Sequence, residues 1–124
     1  MYLLSGLKMQ GVKLGSIILF VKDLERTIDY YRTVLEIPAE KGQPLPAKRA
    51  FRFRTGDCVL TLRRSSKPNG GRQLLVFQVD QIHEVYQELQ EKGLRVRPME
   101  SEGGFSWFDL SDPEGNRVRF RGAI

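Results

Sequence analysis

A chain of 124 residues is one domain's worth, long enough to bury a core without disulfide staples. Its hydrophobic content of 40% and charged content of 28% are ordinary for a globular protein, and no apolar run approaches a membrane span. The single cysteine excludes an intrachain disulfide framework and fits a reducing cytoplasm, while the net charge of +5 suits an anionic partner without specifying one.

The first stretch, Met1 to Met9, lacks the layout of a signal peptide and reads as a frayed arm. Residues 15–21 form a short β-favouring run, Ile17-Ile-Leu-Phe-Val21 at its heart. Asp23 is placed to cap a helix in which Leu24, Ile28, Tyr31 and Leu35 recur at helical spacing, with Pro38 as its stop. Residues 39–48, holding Pro44 and Pro46, read as a short strand or extended arm. Arg49 to Arg54 alternates strictly, Thr55-Gly-Asp57 turns the chain, and Val59 to Arg63 pairs back.

A basic, turn-rich linker over residues 64–72 follows. The plan then repeats. Ser16 to Leu24 and Leu74 to Ile82 share one cadence about 58 residues apart: an apolar run, a Val, an acidic turn, an amphipathic helix. The second helix carries Ile82, Val85, Tyr86 and Leu89 and closes at Gly93. A short strand is expected over 94–98, then a hairpin, Phe105 to Leu110 and Arg117 to Arg121, around Asp112-Pro-Glu-Gly-Asn116. The expected organisation is one domain over residues 1–124, with unit one about 14–63 and unit two about 73–121.

Val21-Lys-Asp23-Leu24, Tyr30-Tyr31, Gly56-Asp57, Phe77-Gln-Val79-Asp80, Glu91-Lys-Gly93 and above all Asp112-Pro-Glu-Gly-Asn116 occur in order within the repeat. In this the chain resembles the vicinal oxygen chelate superfamily: glyoxalase I, bleomycin-resistance proteins, fosfomycin-resistance enzymes and extradiol dioxygenases. The resemblance implies an α+β fold of two tandem βαβββ units. They form a curled eight-stranded mixed sheet, a cup, with helices on its convex side. It also implies a homodimer, its cups built within a chain or from units of two chains. Metal-dependent members place ligands on four strands, and the corresponding positions here are Ser16, Thr61, Leu74 and Arg119. None is a good donor to a divalent metal, so no metal and no cofactor is expected.

Other residues do not fill the gap. His83, the only histidine, falls just inside the second helix and reads as a surface residue, and Cys58 reads as a small buried hydrophobe. Asp109 is the one acid sharing parity with the cup and the one candidate base there. Tyr30, Tyr31 and Tyr86 lie on helices, where packing is the plain reading. Gly70-Gly71 lacks the residues of a phosphate loop, and Ser65 and Ser66 have no histidine beside them.

Strand alternation assigns the faces. One parity, including Ile17, Leu19, Val21, Phe51, Phe53, Leu60, Leu62, Phe108, Val118 and Phe120, should pack on the helices. The other gathers Ser16, Phe20, Thr61, Leu74, Trp107 and six of the thirteen arginines: Arg52, Arg54, Arg63, Arg117, Arg119 and Arg121. Such a face is either plainly wet or an anion site. Two guanidinium groups ~6 Å apart repel by roughly 0.7 kcal/mol in water and ~3 kcal/mol at an effective dielectric of ~20, so clustering them calls for an anion or for acidic side chains.

The leading expectation is a metal-independent protein binding a small, anionic, aromatic molecule through Ser16, Phe20, Arg52, Arg54, Thr61, Leu74, Trp107 and Arg119. Bleomycin itself, a cation, is disfavoured by those arginines. The alternative is a lyase, isomerase or dioxygenase-type enzyme with relocated metal ligands or metal-free acid–base catalysis. No membrane partner is expected. Nor is nucleic acid, because the basic residues lack a recognition motif and interleaved aromatics.

Overall fold

The structure, a computed structural model, describes residues 9–124. The arm read from Met1 to Met9 therefore lies, apart from Met9, outside the described residues. In chain order the elements are β1 (Ser16–Val21), α1 (Leu24–Asp29), a π-helical turn (Tyr30–Val34), β2 (Ala50–Thr55) and β3 (Cys58–Arg64). The second half supplies β4 (Leu74–Gln78), α2 (Ile82–Glu91), β5 (Glu100–Glu102), β6 (Phe105–Ser111) and β7 (Arg117–Ala123). Strands of the first half order β1-β3-β2 and those of the second β4-β7-β6-β5. Both sheets are mixed. β1 runs parallel to β3 and β4 parallel to β7, while the hairpin pairs β2/β3 and β6/β7 are antiparallel.

Seven strands stand where eight were expected, in two separate sheets rather than one hydrogen-bonded sheet. The missing strand is that of residues 39–48, which contributes only an isolated bridge from Ala39 to Phe53. The reason is chemical. Pro44 and Pro46 have no N–H to offer a ladder. The side chain of Gln43 takes up the edge of β2 instead: its amide nitrogen donates to the Arg52 carbonyl at 2.8 Å and its oxygen accepts from the Arg52 N–H at 2.7 Å. Residues 94–98 also form no strand, and pairing begins two residues later with β5.

The helices follow the apolar spacing. The Asp23 carboxylate accepts from the Arg26 N–H and caps α1, whose line of buried residues runs Leu24, Ile28, Tyr31 and Leu35. The helix ends before Pro38, on Glu36 at a φ of 58°, a left-handed conformation unusual for a non-glycine residue. Lys92 steadies that corner by donating to the Val34 carbonyl at 2.6 Å and to the Glu36 carboxylate at 3.0 Å. On α2, Ile82 and Leu89 are buried, Val85 and Tyr86 are partly so, and Gly93 follows at a φ of 81°.

Core and face assignments largely match alternation: Leu19, Val21, Phe51, Phe53, Leu60, Leu62, Phe108, Val118 and Phe120 are buried. Aromatic edges and faces lock the core, with Phe51 on Phe53 at 5.2 Å and Phe108 stacked on Phe120 at 5.6 Å. Ile17 keeps its face beside Leu60 but is exposed, because β1 is an edge strand and Ile17 borders an open crevice between the halves.

The halves are stitched together by the Asp112–Asn116 turn. Buried Asp112 accepts from the Tyr31 hydroxyl at 2.6 Å, from the N–H groups of Glu114 and Asn116 at 2.9 and 2.8 Å, and from the Asn116 amide at 3.1 Å. Glu114 in turn reaches across to the N–H groups of Lys22 and Asp23. Removing the carboxylate leaves several buried donors unmet, each costing about 1–3 kcal/mol. Asp112→Ala is therefore expected to destabilise the protein by about 3 kcal/mol or more and Tyr31→Phe by about 2 kcal/mol, read as shifts in urea midpoint. Equal midpoints for Tyr31→Phe and the unaltered chain would remove the seam bond from the stability account.

Candidate functional site

The eight residues singled out from the sequence fall into two groups. Ser16, Phe20, Arg52, Arg54 and Thr61 share one face of the three-stranded sheet, with Arg52 opposite Thr61 and Ser16 opposite Val59. Leu74, Trp107 and Arg119 share one face of the four-stranded sheet, where Leu74 lies beside Arg117 and Trp107 opposite Arg121. Both faces are open: Ile18, Leu74 and Val76 are 46–47% exposed and Phe20 is 37% exposed.

Five of the six face arginines, all but Arg63, stand against acids or rings. On the first face Glu40 bridges Arg52 and Arg54, accepting from Arg52 Nε at 2.9 Å and from Arg54 Nη2 at 2.6 Å. Glu40 comes from the segment that failed to become a strand, and its role was not legible from alternation. On the second face Asp109 receives Arg119 bidentately at 2.8 and 3.1 Å, and Arg117 stands 3.8 Å away. Asp109 is thus a buried anchor for cations, which corrects its reading as the candidate base of the cup. Its hydrogen bond, opposed by partial burial, holds the Arg119 guanidinium more firmly protonated than usual.

Two guanidinium groups also lie over aromatic rings, Arg119 at 5.8 Å from the Trp107 ring and Arg121 at 3.7 Å from that of Phe105. The Trp107 indole N–H donates to Glu100 at 3.2 Å. Pairing fixes these arginines without exhausting them. A guanidinium carries five N–H donors, of which Arg119 uses two and Arg52 one on the acids.

The four positions matching the family's metal ligands hold two hydroxyls, an aliphatic chain and a cation, which do not fit a divalent metal. Among the described residues no group of three His, Cys, Asp or Glu side chains is placed to hold one. His83 is exposed on α2. Cys58 is half-buried, not buried as its parity suggested, because it borders a crevice of about 830 Å³ between the halves. That crevice is largely apolar, walled by β4, one side of α2 and the Leu35–Pro38 corner. Of the eight candidates only Arg54 and Leu74 reach it. Local residue pattern carries no sign of this crevice, which comes from how two similar halves meet.

The residues, their order and this two-sheet architecture agree with comparison to known proteins. The model of the Glyoxalase/Bleomycin resistance protein/Dioxygenase superfamily matches residues 13–120. The chain belongs to that superfamily.

Its structure is similar to TnmS3, an antibiotic binding protein from Streptomyces sp. CB03234, at a TM-score of 0.78 and 21% identity over 94% of this chain and 99% of that one. It is also similar to TioX from Micromonospora sp. ML1, at 0.73 and 20% over 91% and 100%. A third likeness is to lactoylglutathione lyase from Agrobacterium tumefaciens, at 0.74 and 17% over 90% and 93%. At these identities the likeness is one of fold. No curated protein matches the chain significantly. No helix among the described residues is long and apolar enough to cross a membrane.

The Glu40 bridge has a pH signature. The hydrogen bond from Arg52, opposed by desolvation and aided by the charge of Arg54, holds its carboxyl below the ordinary value of 4.5. The stability it contributes is present above that value and is lost as pH falls through the lowered one. Between about pH 5 and pH 3 the unaltered chain is expected to lose melting temperature more steeply than Glu40→Gln; parallel curves would refute the bridge.

Proposed function

We propose that this member of the superfamily is a metal-independent binding protein for a small, aromatic anion. The ligand is taken up on the arginine- and tryptophan-bearing faces of the sheets. The observation that carries this reading is the Arg119–Asp109 pair beside Trp107: a bidentate bond fixes a guanidinium near the indole ring, leaving N–H groups to donate to carboxylate oxygens. Arg52 and Arg54, held by Glu40, offer the same preorganised chemistry on the other face. TnmS3, similar in structure, is an antibiotic binding protein, which supports a binding role.

Ser16, Thr61, Leu74 and Arg119 at the family's metal positions support independence from metal. The enzyme alternative is weakened on its metal-free branch, since Asp109, its candidate base, is engaged by Arg119. We further propose that the site is completed in a homodimer, the exposed faces of one copy's two sheets meeting those of the other. Ile18, Phe20, Leu74 and Val76 lie open beside β1 and β4, each the last strand of its sheet, and pairing would cover them.

Trp107 is the only tryptophan, so binding can be read from its fluorescence alone. A planar aromatic carboxylate, salicylate as the probe, is expected to quench it saturably, equally after chelator treatment, and about ten-fold more weakly in Arg119→Ala. Undiminished affinity in Arg119→Ala would sink the anion reading, and binding that disappears with chelator would restore the metal. In sedimentation the chain is expected at twice its 14.3 kDa mass, and Phe20→Lys should shift it toward monomer; a monomeric unaltered chain would remove the dimer.

A further inference from the structure

A second hollow, of about 260 Å³, lies where the end of the first helix meets the second half. Tyr30, from the π-helical turn, forms one wall, Arg95 and Arg97 a second, and Asp109, Leu110 and Ser111 of β6 a third. Leu94-Arg-Val-Arg97 runs extended, with Leu94 and Val96 packed on the core and both arginines exposed. The Arg97 N–H donates to the Asp109 carbonyl at 3.1 Å, which pins this segment along β6. Neither arginine has an acidic partner among the described residues, in contrast to Arg52, Arg54, Arg117 and Arg119.

Apart from Asp109, whose carboxylate is held by Arg119, the polar side chains of the walls are donors. Burial, with the nearby charge of Asp112, pushes the Tyr30 phenol up to about 12, so it keeps its proton through the neutral range. Tyr31 commits its hydroxyl to Asp112, whereas among the described residues the Tyr30 hydroxyl has no hydrogen-bond partner. The acids nearby are already engaged: Asp109 by Arg119 and Asp112 by Tyr31 and its own turn.

We infer that this hollow binds the phosphate group of a small phosphate monoester, gripped by Arg95 and Arg97 and hydrogen-bonded by the hydroxyls of Tyr30 and Ser111. Two guanidinium groups and two hydroxyls approaching from different elements suit a tetrahedral anion with three free oxygens better than a planar carboxylate. The site draws on both halves of the chain and does not rest on the proposed aromatic-anion site; the two have only Asp109 in common, which there anchors Arg119.

Titration of the full chain with inorganic phosphate, followed by calorimetry with acetate as the comparison, tests it. Phosphate should bind measurably and acetate at least several-fold more weakly. The double variant Arg95→Gln/Arg97→Gln should lose about ten-fold or more in phosphate affinity, Tyr30→Phe a few-fold, and Arg72→Gln, in the linker, nothing. Equal phosphate affinity in the double variant, no phosphate binding by the unaltered chain, or acetate binding as tight as phosphate would each overturn the inference. Salicylate quenching of Trp107 is read separately, so failure of one site leaves the other standing.

Discussion

Taking a carboxylate out of water is costly unless donors surround it, and at Asp112 they come from both halves of the chain. Three come from its own turn, which the sequence Asp-Pro-Glu-Gly-Asn closes on itself, with Gly115 at a φ of 81° supplying the bend. The fourth is the Tyr31 hydroxyl, whose own ionisation is pushed far upward by burial and by that same negative charge. Tyr31 is fully buried and touches Phe53, so the polar joint is continuous with the aromatic core of the first sheet. The position of each sheet, and of the arginines it carries, follows from this joint.

The arginine-rich faces show a second constraint. Repulsion among guanidinium groups has been met by buried or bridging carboxylates and by aromatic rings, leaving an excess of positive charge but little freedom of movement. The result is a surface whose cations are oriented before any ligand arrives. Such preorganisation lowers the entropy lost on binding, which is where affinity for small ligands is commonly forfeited. It also explains why net charge alone was uninformative: what matters is which guanidinium groups are pinned and in what direction.

Much of this was readable in the residues, and for identifiable reasons. Period-two alternation in β2, β3, β6 and β7 sorted core from face because each strand is packed on one side. Helical spacing found Leu24, Ile28, Tyr31 and Leu35 for the same reason. The failures lie where local pattern does not decide. The proline-bearing segment yielded its place to the Gln43 side chain, which no propensity anticipates. Asp109 was on the expected face, but a partner ten residues away decided its role. Ile17 and Cys58 were misjudged because edge position and the crevice between halves belong to tertiary assembly. The turn at Asp112 was recognised as a turn, yet its burial and its bond to Tyr31 across 81 residues were not visible in it.

The seam bears on the history written into the repeat. The two copies share one supersecondary plan, but one carries the phenol and the other the carboxylate, and the two meet. Neither feature has a counterpart in the opposite half: the position in α2 that packs as Tyr31 does is aliphatic Leu89, and the first hairpin turns on Thr55-Gly-Asp57. A chain assembled from two first units, or from two second units, would therefore lack half of its own fastening. Symmetry in the backbone thus ends in an asymmetric joint between unequal halves, and losing either partner undoes it.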